Sequence, residues 1–268
     1  MSNHNYPNWQ ENSLIKYLSL LAILLLHLQA SAAISNTGTS QPQLVTYSDD
    51  EHELTASCYI ANSNEILVFF PSVYASLEDQ EAYASEIAAG GLATCISHML
   101  TDLFLPMKNS SYAEVPRAAM LGLLNLVRQQ TGKQIYLVAH GSGNRLAYRL
   151  ATLAFDNSRA TLQGLIMLSP NLLDHTPEPG EQPVYMPEVH RKTLPLYIFQ
   201  PEYSPHHYHL EALLKNIRES GTSVYFQRIA NARDGYALRE NRSAREQRLR
   251  EQGATLFLEA IRELKYEP

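Results

Sequence analysis

Short apolar runs alternate along the chain with longer stretches in which apolar residues recur every three or four positions. Glu53–Ala61 (ELTASCYIA) alternates as a strand does, and Glu65–Phe70 (EILVFF) is a continuous apolar run, the mark of a central strand buried on both faces. The spacing predicts a helix over Ser76–Gly90, stopped by Gly90-Gly91, and a strand over Ala93–His98. The order then repeats: helix Val115–Thr131 ending at Gly132, strand Ile135–Val138, helix Asn144–Phe155 and strand Gly164–Leu168. Pro170–Pro195 holds six prolines and too little periodicity for a folded lid, so no large cap domain is expected. Strand Leu196–Phe199, helix His209–Ser220, strand Ser223–Ile229 and one long charged helix from about Ser243 to Lys265 complete the chain. Such alternation with short connections predicts an α/β fold, a mostly parallel doubly wound sheet with right-handed crossovers. No internal repeat is visible.

The N-terminus follows a different pattern. Tyr17–Leu28 (YLSLLAILLLHL) is apolar and is followed by Gln29-Ala30-Ser31-Ala32-Ala33. The run is shorter than the ~20 residues of a membrane span, and Ala-Ser-Ala is a small-residue cleavage site. Residues 1–32 therefore read as a secretory signal peptide cleaved after Ala32, with export to the periplasm or medium and no stable membrane span in the mature chain. Glu11 offsets Lys16 in a long leading region, which keeps an uncleaved anchor as the alternative. Residues 33–43 (AISNTGTSQPQ) read as a flexible leader, and residues 44–268 as the folded domain. A net charge of −6 and a pI near 5.9 exclude a nucleic-acid surface, since Glu interleaves with Arg in the one basic segment.

Candidate chemistry centres on the stretch from Val138 to Ala151, VAHGSGNRLAYRLA: a buried strand, a sharp turn and a helix. A nucleophile elbow needs small residues two before and two after the nucleophile. Around Ser142 those flanks are His140 and Asn144, both too large; around Gly141 they are Ala139 and Gly143, which fit. Gly141-Ser142-Gly143 lacks the spacing of a dinucleotide fingerprint. On this motif and the element order, the chain resembles the α/β-hydrolase superfamily over about Leu44–Lys265. The resemblance implies a Ser-His-acid triad, and the matching positions hold Gly141 for the nucleophile, Glu202 near the acid position and Asp234 for the histidine. No histidine follows His209. After the strand that ends at Phe70, the implied oxyanion loop reads Pro71-Ser72-Val73; Pro71 has no N–H, leaving Ser72 and Val73 as donors. The expectation is an exported hydrolase-fold protein with a non-catalytic binding or scaffolding role. Its alternative is an active serine hydrolase, of esterase or peptidase type, using Ser142 with a displaced histidine: His206, His207 or His140.

His140, Ser72, Asp102 and Asp174 are the candidate cleft-lining residues, at the sheet edge where open α/β folds bind ligands. The run His206-His207-Tyr208-His209 has no ligand spacing or carboxylate partner, so no metal is expected, and no cofactor is indicated. The ligand or protein partner has no signature in the sequence. The implied topology sets the strands carrying Cys58 and Cys95 side by side. A disulfide is then open to them if they share a face and register, while two buried thiols acting as small hydrophobes is the preferred reading.

Overall fold

Eight strands form one sheet in the computed structural model, which describes residues 41–157 and 162–266. They are β1 (Gln43–Ser48), β2 (Glu53–Tyr59), β3 (Glu65–Phe69), β4 (Ala93–Ser97), β5 (Gln134–His140), β6 (Leu162–Leu168), β7 (Leu196–Tyr203) and β8 (Val224–Arg233). Their order is β1-β2-β4-β3-β5-β6-β7-β8. β2 is antiparallel to β1 and β4, and the other neighbours are parallel. The expected α/β class and mostly parallel sheet are thus found. The helices are α1 (Leu77–Ala89), α2 (Met99–Asp102), α3 (Arg117–Thr131), α4 (Gly143–Asp156), α5 (Leu210–Glu219), α6 (Ala244–Glu251) and α7 (Gly253–Lys265).

Alternation along the central strands sorts the core into two layers. Ile66, Val68, Ile135 and Leu137 pack with the α3, α4 and α5 side, whereas Leu67, Tyr136 and Val138 pack with α1 and α7. Helix α4 buries Leu146, Ala147, Leu150, Ala151 and Ala154, a stripe at helical spacing; each leucine contributes about 1.5–3 kcal/mol. Helix α3 stops where Gly132 takes φ 68°, its N–H donating to Arg128 O at 2.8 Å.

Three features differ from the sequence reading, and the segment between β6 and β7 agrees with it. Strand β1 begins at Gln43, inside the segment read as leader; it is an edge strand with Leu44 59% exposed, so its pattern is weak. The expected single terminal helix is two, broken at Gln252; the next residue, Gly253, passes so close to α1 that an added Cβ would lie 2.6 Å from Tyr83 Oη. Between β6 and β7, the described residues form one 3-10 turn (Pro187–His190) and a bridge from Leu173 to Tyr185. Cys58 and Cys95 are bridged, correcting the preference for free thiols: they face one another across β2 and β4, a register that sequence alone leaves unknown. The expected signal peptide, residues 1–32, and the expected leader as far as residue 40 lie outside the described residues.

The end of β8 is anchored by an ion pair. Glu246, 1% exposed at its side chain, caps the start of α6 and accepts from the Arg233 guanidinium at 2.6 Å and the Arg233 N–H at 3.0 Å. The hydrogen bond from Arg233 outweighs burial and holds the Glu246 pKa at about 2, below its ordinary 4.5. A carboxylate depressed on folding contributes stability that is complete above its unfolded pKa and lost as pH falls towards the folded one. Urea titrations of wild type and Glu246→Gln should therefore differ most above about pH 4.5 and converge towards pH 2. A difference independent of pH across that window would contradict the assignment.

Candidate active site

β3 and β5 are parallel neighbours, with Phe69 opposite Val138 and the Phe70 N–H donating to Val138 O at 2.9 Å. The residues just beyond them consequently emerge together at the C-terminal edge of the sheet. From β3 comes Ser72; from β5 comes its last residue, His140. The Ser72 turn is clamped on both sides. Tyr112 donates its hydroxyl to Pro71 O at 2.5 Å, and Gln80 of α1 accepts from the Ser72 N–H at 2.6 Å while donating to Ser72 O at 2.9 Å. The Ser72 amide is therefore committed to Gln80 and is not the oxyanion donor expected of it.

His140 continues the row of Tyr136 and Val138. Its Nδ1 lies 3.3 Å from Ser72 Oγ and its Nε2 lies 2.9 Å from Asp234 Oδ1. Asp234 follows β8 directly, and the Tyr74 hydroxyl donates to its other oxygen at 2.8 Å. The His140 and Asp234 side chains are each 8% exposed. Burial works to raise the Asp234 pKa, but the hydrogen bond and charge of His140, together with the hydrogen bond from Tyr74, outweigh it and hold it at about 2. An ionised carboxylate only accepts, so His140 Nε2 carries a proton, and in the neutral ring Nδ1 turns a lone pair towards the Ser72 hydroxyl. Serine, base and acid thus stand in a chain of hydrogen bonds.

The elbow has the expected register. Gly141 takes φ 53°, and an added Cβ there would meet only Tyr74, at 4.0 Å. Ser142 precedes α4 in helical conformation, its side chain capping nothing, and lines a separate hollow with Tyr112 and Arg145. None of the three expected bases serves it among the described residues. Both nitrogens of His140 are engaged with Ser72 and Asp234. His206 donates its backbone N–H to Ser204 Oγ, and burial pushes its imidazole pKa down; His207 Nδ1 is buried without a hydrogen-bond partner.

Glu202 turns away from the relay, accepting from Arg228 at 2.7 Å and the Asn231 N–H at 2.9 Å. Asp102 fastens α2 to β2 by accepting from the Thr55 N–H at 2.6 Å, and Asp174 is exposed; neither joins the cleft. No group of three His, Cys, Asp or Glu side chains among the described residues is placed to hold a metal ion.

Sequence reasoning named Ser72, His140 and Asp234, yet as a loop donor, an oversized elbow flank and a lost base. It missed Tyr74 and Ser169, the latter buried at φ 50° just after β6. A usable signal existed: in the hydrolase strand order the third and fifth strands are neighbours, so a serine and a histidine just past their ends must meet.

No family model matches this sequence, and no curated protein does. Solved structures do. The esterase Est22 superposes with a TM-score of 0.64 at 11% identity, over 94% of this chain and 89% of its own. Carboxyl esterase 2 of the mycorrhizal fungus Tuber melanosporum gives 0.63 at 10%, over 84% and 89%. The thermostable carboxylesterase EstE1, cloned from a metagenomic library, gives 0.63 at 13%, over 85% and 90%. Strand order, glycine elbow and these superpositions together give the chain the α/β-hydrolase fold.

Proposed function

We propose that this chain is an exported serine hydrolase of the esterase kind, with Ser72 as nucleophile, His140 as general base and Asp234 as the carboxylate that orients it. This corrects the non-catalytic role expected from sequence: the solved structures that the chain resembles are esterases, and the expectation rested on family positions alone. The observation that carries the reading is the Ser72–His140–Asp234 chain at 3.3 Å and 2.9 Å. It also moves the nucleophile of the alternative from Ser142 to Ser72, the serine that has a base.

In this reading Ser72 Oγ bonds to the ester carbonyl carbon as its proton passes to His140 Nδ1. The carbon–oxygen bond to the alcohol then breaks as Nδ1–H protonates the departing oxygen. Water, deprotonated by the same nitrogen, cleaves the acyl-enzyme and returns the proton to Ser72. Asp234 remains ionised throughout and faces the imidazolium that forms. At the start of α4 the Asn144 and Arg145 amides donate to Gly141 O and Ser142 O, and the preceding Ser142 and Gly143 amides are assigned to the developing oxyanion. Beside the relay is a narrow slot walled by Phe69, Phe70, Tyr83, Ile96 and Leu238, with Ser72 and His140 also lining it. Such walls suit an ester with an apolar acyl or alcohol group.

Hydrolysis of p-nitrophenyl butyrate by purified residue 33–268 protein tests the assignment. Ser72→Ala and His140→Gln should each lose about 10³-fold or more in kcat/KM, Asp234→Asn somewhat less, and Ser142→Ala less than about 3-fold. A folded Ser72→Ala protein with wild-type turnover would overturn it.

Export is part of the proposal, and the Cys58–Cys95 bridge supports it because disulfides persist in oxidising compartments. Among the described residues no helix is long and apolar enough to cross a membrane. Expressed with its natural N-terminus, the protein should be recovered from periplasm or medium beginning near Ala33 with no free thiol. Intact Met1 on a membrane-bound form would establish the anchor instead.

A further inference from the structure

Tyr74 lies two residues after Ser72, in the loop between β3 and α1, and it touches all three members of the relay. Its N–H donates to Ser72 Oγ at 3.3 Å. Its ring stands edge-on to the His140 ring, with centroids 4.7 Å apart and planes at 78°. Its hydroxyl donates to Asp234 Oδ2 at 2.8 Å. Two glycines at positive φ border the ring. Gly141, φ 53°, leaves open the space next to it, and Gly235, φ 65°, passes so near that an added Cβ would lie 3.0 Å from Tyr74 Cγ.

These contacts divide into two kinds. A carboxylate that must accept from His140 Nε2 could turn about its Cβ–Cγ bond, and a second donor on its other oxygen fixes that angle. The imidazole, in turn, has the Tyr74 ring edge-on against it, and that ring limits its rotation. We propose that Tyr74 is a positioning residue for the hydrolase reaction, its phenol setting the Asp234 carboxylate and its ring holding His140 towards Ser72. The proposal rests on the serine-hydrolase reading above. Burial, then the Asp234 charge, raises the phenol's pKa, so the group remains a donor at the pH of the assay.

The side chain is 40% exposed, so removing its hydroxyl leaves the core intact. A positioning role and a merely structural one separate in the kinetics of Tyr74→Phe, which keeps the ring, and Tyr74→Ala, which loses both contacts. With p-nitrophenyl butyrate, Tyr74→Phe should lower kcat about 10-fold with KM within about 2-fold, as expected for losing a hydrogen bond to a charged group. Tyr74→Ala should lower kcat about 100-fold or more, with Phe the partial rescue. Wild-type kcat in Tyr74→Phe, or a loss carried entirely by KM, in preparations where Ser72→Ala is inactive, overturns the positioning role alone. Wild-type turnover in Ser72→Ala removes the serine assignment and this proposal with it.

Discussion

The hydrogen bond between His140 and Asp234 ties the central strand of the sheet to its edge, and the surrounding loops are organised around it. Both side chains are nearly buried, and taking a carboxylate from water costs several kcal/mol unless its acceptor sites are filled. Here His140 occupies one oxygen and Tyr74 the other. The preceding residue, Arg233, is gripped through its backbone and guanidinium by Glu246, so α6 fixes the point at which β8 releases Asp234. On the opposite side Gln80 and Tyr112 hold the Ser72 turn against the same imidazole. A buried pair of this kind is a costly way to stabilise a fold and an effective way to hold a base in one tautomer.

A relay requires three side chains within hydrogen-bond reach, and the fold settles only where they can meet. In this chain the meeting place is the C-terminal edge of the sheet, as the α/β-hydrolase architecture dictates, while the serine arises after β3, the histidine at the tip of β5 and the aspartate after β8. The elbow remains as a backbone feature. Gly141 retains its positive φ, and beside it Tyr74 and His140 pack edge to face.

Much of the scaffold was legible because it is written in short-range patterns. The run EILVFF reads as a central strand because both faces are buried, and the stop of α3 at Gly132 follows from the left-handed turn there. The close pass of Gly253 to Tyr83, beside the break at Gln252, was invisible because the two residues are remote in sequence. The site failed to emerge for a related reason. Motif matching assigns roles by position, and at the family positions it found Gly141, Glu202 and Asp234. What gives Asp234 its place is a histidine 94 residues earlier and a tyrosine 160 residues earlier, pairings that only the sheet order creates. The disulfide belongs to the same class: Cys58 and Cys95 meet because β2 and β4 pair in one register.

Which serine attacks is the central claim, and covalent mapping addresses it without depending on the choice of substrate. The folded protein is treated with a fluorophosphonate, digested, and the phosphonylated residue located by fragment-ion mass spectrometry. The adduct is expected on Ser72, with labelling abolished in His140→Gln. An adduct on Ser142, or no adduct on protein that hydrolyses esters, would contradict it.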